Sequence, residues 1–180
     1  MSKSLKTIQT LAKIGKGIST IIFIFSIIGT VAALIAVSAL AGLKDIQLDG
    51  KTVVSMVEDT GTNFVTLIFT SATAIFSCIG SAIVAKFAMI YFANELEYGT
   101  PFTYDGAKEL LRLGILAIAV PAVISIVSAI AFIITKLFWP PLAEMENSSP
   151  ISIVIGIMLI VMSIVFKHGA ELEEKLQIDI

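Results

Sequence analysis

Four long stretches of apolar residues alternate with short polar segments along the chain. They cover residues 18–43, 64–92, 113–137 and 151–166, and they contain almost no charged side chains. Hydrocarbon cannot form hydrogen bonds with the backbone, so each stretch must pair its own amide groups, as a helix does. About 20 helical residues are long enough to cross about 30 Å of lipid core. The pattern predicts an all-α fold, an integral membrane four-helix bundle in which residues 1–180 form a single transmembrane domain.

The polar segment between the first two stretches has a pattern of its own. Asp49-Gly50 lies between two short runs rich in apolar residues, which suits a two-residue β-hairpin turn. A lone hairpin is marginal in water, so an irregular polar loop is an equal alternative. A small extracytoplasmic β-hairpin between helices 1 and 2 is therefore one of two interpretations of this segment.

The composition supports the membrane interpretation. Hydrophobic residues make up 57% of the 180 residues and the mean hydropathy is +0.98, which is outside the range of ordinary soluble proteins. The net charge of −2 is small and the basic residues do not cluster, so direct nucleic-acid binding is not expected. The single cysteine, Cys78, lies in the second stretch and is expected to pack as a small hydrophobic residue.

The distribution of basic residues predicts the orientation in the cell membrane. Flanking segments rich in Lys and Arg stay cytoplasmic, and nine of the twelve basic residues lie on the side shared by both termini. Both termini are thus expected in the cytoplasm, with residues 167–180 as a helical tail. A cleavable signal peptide ending at Ala41 is the alternative for the first stretch, but its length favours a retained helix.

Small and hydroxyl residues mark the faces along which the helices are expected to pack. In a bilayer such residues allow close approach of neighbouring backbones, and the same faces suit a homo-oligomer. In the third stretch Pro121 removes a backbone donor and predicts a kink. A polar pore lining is the alternative interpretation of the hydroxyl residues in the second stretch. The packing candidates are Gly29, Ala33, Thr73, Ser77, Ser81, Pro121 and Ser125.

The turn between the second and third stretches is the most distinctive candidate for partner binding. Gly99-Thr100-Pro101 predicts a helix stop, and either Thr103 or Asp105 is expected to cap the next helix. Aromatic rings at such a turn suit a docking surface, or alternatively an anchor at headgroup depth. The partner-binding candidates are Tyr98, Gly99, Pro101, Phe102 and Tyr104.

The predicted spans lack the ionisable residues that proton or ion coupling and metal binding require. Proton-coupled and ion-coupled proteins keep buried carboxylates, His or Arg near mid-bilayer, and these stretches offer none. His168 is the only histidine, so a metal site would need several carboxylates around one imidazole. We expect no catalytic residues, no metal, no cofactor and no enzymatic activity.

Two motifs carry a family resemblance. The segment Glu97-Tyr98-Gly99-Thr100-Pro101-Phe102, followed by Lys-Glu-Leu-Leu-Arg-Leu-Gly at residues 108–114, resembles a family of small bacterial four-span membrane proteins of unknown function that includes YoaS-like proteins. Residues 166–174 are similar to the tail of that family. The resemblance implies a membrane protein without assigned enzymatic activity, whose relatives are often encoded beside small helix-turn-helix regulators.

Three functions remain open from the sequence. The first is a sensing or partner-binding protein that acts with a small cytoplasmic helix-turn-helix regulator through residues 95–105 and 167–180. The second is a small transporter or channel component, suggested by the hydroxyl residues of the second stretch and by Pro121. The third is an immunity protein that binds a membrane-active peptide through residues 44–63.

Overall fold

The structure, a computed structural model, describes residues 3–43, 46–48, 50–59, 61, 63–99, 102–138 and 151–178. These residues form five helices and one small sheet. In chain order they are α1 (Lys3–Leu43), β1 (Gln47–Leu48), β2 (Lys51–Thr52), α2 (Val53–Asp59), α3 (Phe64–Tyr98), α4 (Tyr104–Phe138) and α5 (Ile151–Ile178).

Four of the helices, α1, α3, α4 and α5, are long and apolar enough to cross a membrane. The prediction of an all-α, four-helix membrane fold is thereby confirmed. Each of these helices is longer than the apolar stretch that predicted it: α1 begins earlier, α3 and α5 end later, and α4 does both. A helix of 35 residues measures about 50 Å, whereas the lipid core is about 30 Å thick. The helices therefore continue beyond the hydrocarbon with more polar ends.

The side chains on these helices are arranged for a lipid solvent. Large apolar residues such as Phe25, Ile126 and Met158 are more than half exposed, as lipid-facing positions require. Several hydroxyl groups within the helices donate to backbone carbonyl oxygens four residues earlier, which satisfies them without water. Such bonds join Thr20 to Lys16, Thr30 to Ser26, Ser71 to Leu67 and Thr135 to Ala131.

The segment between α1 and α3 contains the hairpin. β1 and β2 are antiparallel, with Leu48 opposite Lys51, and Gly50 has a φ of +79°, which a tight turn favours. The hairpin interpretation is therefore confirmed and the irregular loop is not what forms. The short helix α2, which the sequence pattern did not predict, follows directly, and an ion pair of 2.6 Å between Lys51 Nζ and Asp59 Oδ2 joins the hairpin to its end.

Contacts between Cα atoms divide the chain into two compact units. The first consists of Met1–Ile24, Ser81–Ala122 and Ser149–Ile180, and the second of Phe25–Gly80 and Val123–Ser148. Because α1, α3 and α4 each continue from one unit into the other, the division falls within helices. The single transmembrane domain stays a prediction.

The specific packing contacts differ between the two units. In the first unit Tyr91, Leu110 and Leu113 are buried, and they pack against Val84, Ala88, Phe92, Leu159 and Phe166. In the second unit the rings of Phe69 and Phe132 meet edge to face with centroids 6.0 Å apart, and Lys136 Nζ lies 5.6 Å from the centre of the Phe132 ring. The first unit thus has a cluster of buried apolar side chains, and the second has an aromatic pair.

Candidate functional site

The turn between α3 and α4 begins at Gly99. This residue has a φ of +73°, a left-handed conformation that favours glycine, and its backbone N–H donates to Glu95 O at 3.0 Å. A Cβ added at Gly99 would meet only Gln9 Nε2, at an ordinary distance of 3.7 Å. The backbone conformation, rather than a lack of space, therefore requires glycine here.

The turn ends at Thr103, which caps α4. Its Oγ1 accepts a hydrogen bond of 3.0 Å from the N–H of Gly106, and its carbonyl accepts one from Ala107. Of the two residues expected to cap this helix, Thr103 makes the bond, while Asp105 lies in the first helical turn. The carboxylate of Asp105 is favourable there because it faces the positive end of the helix dipole.

Phe102 fixes the turn against α5. Its ring meets the Phe166 ring edge to face, with centroids 5.4 Å apart and planes at 77°. On the same ring, Cδ1 lies 2.6 Å from the position that a Cβ on Gly169 would take, so the absence of a side chain at Gly169 makes room for it. The ring is still 38% exposed, so Phe102 both packs and contributes to the surface.

The two tyrosines of the turn differ in their contacts. The hydroxyl of Tyr104 donates to Glu174 Oε2 at 3.1 Å, across 70 residues of sequence, while about half of the residue stays exposed. Tyr98, the last residue of α3, is 53% exposed. Pro101, the remaining candidate in this turn, lies outside the described residues.

Together these contacts bring the turn and the C-terminal tail into one surface. We call this the turn–tail surface and define it by Tyr98, Gly99, Phe102, Tyr104 and the described part of the tail, residues 167–178. The sequence placed the turn and the tail on the same side, but it did not predict the ring contact at Phe166 or the hydrogen bond at Glu174. Both join residues that are distant in sequence, and no local pattern reports them.

A polar cluster lies beneath this surface, between α3 and α4. The side-chain amide of Asn94 donates to Glu109 Oε1 at 2.6 Å, and Glu109 Oε2 is buried without a hydrogen-bond partner among the described residues. The hydroxyl of the buried Tyr91 interacts with the Glu95 carboxylate four residues along α3. Asn94, Glu95 and Glu109 lie just beyond the predicted spans, so the hydropathy pattern does not reveal this cluster.

Helices α4 and α5 approach closely at a pair of glycines. A Cβ on Gly114 would lie 3.0 Å from Gly156 O, and a Cβ on Gly156 would lie 2.9 Å from Gly114 O. Nearby, the buried Ser163 donates through Oγ to Ala107 O at 2.7 Å. Neither glycine was among the packing candidates, although a small residue in an apolar helix is the signal that marks such a contact.

The packing candidates on α1 and α3 differ in how far they are buried. A Cβ on Gly29 would lie 2.9 Å from Cys78 Sγ, and Ala33 is half-buried. Ser77 and Ser81 are exposed in the single chain, and their place in a helix-packing face stays a prediction. Cys78, one residue along, makes the close contact instead, because one residue of helix turns the side chain by about 100°.

The other packing candidates are half-buried. Thr73 donates through Oγ1 to Thr70 O at 3.0 Å, a bond within its own helix. Pro121 lies inside α4 as expected, and Ser125 follows it one turn later. The kink at Pro121 stays a prediction.

The residues that the structure describes contain no group of three or more His, Cys, Asp and Glu side chains that could hold a metal ion. His168 is largely exposed, and its Nδ1 lies 3.5 Å from Glu171 Oε2. Among the described residues, its ion-pair partner is therefore the carboxylate of Glu171 on the same helix.

No model of a known protein family matches the chain, and neither the curated proteins nor the solved structures give a significant match. The resemblance to the four-span family thus depends on its quoted motifs alone. What the structure itself establishes is a chain with four helices suited to cross a membrane, and with a turn–tail surface at one end of α3, α4 and α5.

Proposed function

We propose that this multi-pass membrane protein has no enzymatic activity and that it binds a small cytoplasmic regulator of the helix-turn-helix class through the turn–tail surface. One observation carries the proposal: Phe102 and Tyr104 hold the turn against α5, so that two distant segments form one continuous surface. A partner can contact both segments at once. The orientation with this surface in the cytoplasm of a cell membrane, expected from the basic residues, is part of the proposal.

The charge of the surface supports a basic partner. Residues 97–105 contain two acidic residues and no basic one, and residues 167–178 contain three acidic residues and two lysines. A regulator that binds DNA carries a basic face for the phosphate backbone. An acidic surface with exposed aromatic rings complements such a face. The regulator would then use the same face for the turn–tail surface and for DNA, so the two would compete for it.

Helix α5 supports a role in sensing. It runs without interruption from its apolar part, which begins at Ile151, to the tail at Ile178. A change in the packing of the apolar part therefore moves the tail directly. Phe166, which lies at the boundary between the two parts, also contacts the turn through Phe102. A lipid or envelope signal can thus reach both segments of the surface through one helix.

The test is affinity purification of the full chain from membranes, with Tyr98→Ala as the variant and Phe25→Ala as the control. Both positions carry exposed aromatic rings, but Phe25 lies on the apolar part of α1, away from the turn in sequence. We expect wild type and Phe25→Ala to recover the same DNA-binding protein. Tyr98→Ala should recover at least about tenfold less, equivalent to about 1.4 kcal/mol.

Two results would contradict the proposal. One is that wild-type protein in intact membranes recovers no DNA-binding partner. The other is that Tyr98→Ala recovers as much partner as Phe25→Ala. Recovery should also fall as the salt concentration rises, since the proposed attraction is between exposed charges.

The exposed hydroxyls of Ser77 and Ser81 favour a second candidate, a small transporter or channel component. Exposed polar side chains on an apolar helix suit a water-filled path between copies of the chain better than lipid. Purified protein in liposomes would then conduct a solute or ion, and Ser77→Ala with Ser81→Ala would reduce the flux. Liposomes without flux would remove this candidate.

A further inference from the structure

A groove on the first unit combines features that recognise a lipid headgroup. It has a volume of about 410 Å³ and lies between the first turns of α4 and the middle of α5. Two lysines from different helices line it, Lys108 and Lys167, and both are exposed. Within the part of the chain that the structure describes, neither ammonium group has an ion-pair partner.

The position of the groove matches the headgroup region. Lys167 directly follows the last apolar stretch, and Lys108 precedes the third one, so both helices change from apolar to charged sequence at this level. Lysines at such a level attract anionic lipids. We therefore expect the groove at the depth of the lipid phosphate groups.

The walls below the lysines are apolar and suit an acyl chain. Leu111 lines the groove, and Ile115 follows it one helical turn deeper and is half exposed. Lys108, Leu111 and Ile115 are spaced by three and four residues, so they lie along one face of α4. A ligand with a charged group and a long apolar tail fits this face better than a soluble anion does.

The groove is also held in shape by the fold. Ser163, which lines it, donates to Ala107 O at 2.7 Å and so joins α4 to α5 between the two lysines. Tyr104 forms another wall, and its hydroxyl is already bonded to Glu174. The backbone positions that carry Lys108 and Lys167 are thus set by contacts between α4 and α5.

Asp105 limits the charge of the ligand. It lines the same groove, so two positive charges and one negative charge face the ligand. A phosphodiester with one negative charge balances them, and a hydroxylated headgroup can donate hydrogen bonds to the Asp105 carboxylate. We propose that the groove binds an anionic phospholipid with a single negative charge and a hydroxylated headgroup, of the phosphatidylglycerol class, with its phosphate between Lys108 and Lys167.

The test uses delipidated full-length protein and vesicles of defined composition. Lys108→Gln with Lys167→Gln is the variant, and Lys13→Gln with Lys16→Gln is the control, since it removes the same charge from exposed lysines of α1. We expect wild type and control to retain phosphatidylglycerol, and the variant to retain at least tenfold less at an unchanged thermal midpoint. Phosphatidylcholine vesicles and soluble glycerol phosphate should give at least tenfold weaker binding to wild type.

Each contrary result overturns the proposal in a different way. Equal loss in the variant and the control means that the lysines act only through net charge. Equal binding of phosphatidylcholine excludes recognition of the anionic headgroup, and equal binding of glycerol phosphate makes the ligand a soluble phosphate. A second variant, Asp105→Asn, should increase binding of a doubly charged phospholipid relative to phosphatidylglycerol, and no change in that ratio would remove the role given to Asp105.

Discussion

At the scale of single residues, Gly99 is a position in the candidate site whose backbone conformation favours glycine. Gly99 has a φ of +73°, and a Cβ added there would make only an ordinary contact of 3.7 Å with Gln9 Nε2, so an alanine acts mainly through backbone strain. The conformation ends α3 and turns the chain toward Phe102. Strain at Gly99 should therefore disturb the turn before it disturbs the helices.

We predict that Gly99→Ala destabilises the protein by about 1 kcal/mol, because alanine is unfavourable at positive φ. Gly17→Ala is the matched control, since Gly17 lies in α1 with nothing near its missing Cβ. The control should be neutral or stabilise by up to about 1 kcal/mol, as alanine favours helix. Unfolding in a fixed detergent, followed by circular dichroism, measures both. A neutral Gly99→Ala would contradict the turn geometry.

Gly169 is important for a different reason, the space that it leaves for the Phe102 ring. We predict that Gly169→Ala displaces this ring and loosens the turn from the tail. Hydrogen exchange of the backbone amides at residues 102–107 and 167–176 should accelerate about tenfold, which corresponds to about 1.4 kcal/mol. The Gly17→Ala protein should exchange like wild type in these segments. Unchanged exchange in Gly169→Ala would mean that the Phe102 ring does not hold the two segments together.

At the scale of elements, the contact of α4 with α5 is the closest helix approach that the glycines reveal. Gly114 and Gly156 face each other so that added Cβ atoms would meet backbone oxygen at about 3 Å, and backbone cannot move aside as a flexible side chain can. The Ser163 hydrogen bond to Ala107 lies on the same pair of helices. Removing either feature should affect this pair first.

We predict that Gly114→Ala destabilises the fold by about 1 to 3 kcal/mol, the usual cost of overpacking. Gly42→Ala, at a helix position with open space, is the control and should not destabilise. The midpoint of unfolding in a denaturing detergent compares the two. If both variants unfold at the wild-type midpoint, the helices are not packed glycine to glycine.

The elements themselves follow largely from local sequence. Hydropathy predicted all four long helices, Asp49-Gly50 predicted the hairpin, and Thr103 was one of two expected caps. The contact faces of the helices could not be predicted from local sequence, because residue spacing does not show which neighbouring helix a face meets. Thus Ser77 and Cys78 are one residue apart, and only the neighbouring Gly29 decides that Cys78 makes the contact.

At the scale of the whole molecule, the same limit applies to the candidate sites. The aromatic residues of the turn were identified because they are conspicuous in sequence, whereas the groove at Lys108 and Lys167 and the cluster at Asn94 and Glu109 unite residues from different helices. Each of these residues taken singly is an ordinary polar residue at a span end. Only the folded chain places them together.

The distribution of basic residues predicts the orientation of the molecule in the membrane, and the orientation decides which face a cytoplasmic partner can reach. Basic residues are nine to three in favour of the side that holds both termini and the turn. Because α3 is the only long helix between the loop of α2 and the turn, the two must lie on opposite sides if α3 spans the bilayer. This relation can be tested with two engineered cysteines.

We predict that Glu58→Cys reacts with a membrane-impermeant maleimide in intact cells, and that Glu97→Cys reacts only after the cells are permeabilised. Both glutamates are exposed, and Cys78→Ala removes the native thiol from the background. The inverse pattern would invert the orientation and place the turn–tail surface outside, beyond reach of any cytoplasmic regulator. Equal labelling of both positions in intact cells would contradict the crossing of α3 itself, and with it the four-span arrangement on which the partner and lipid proposals depend.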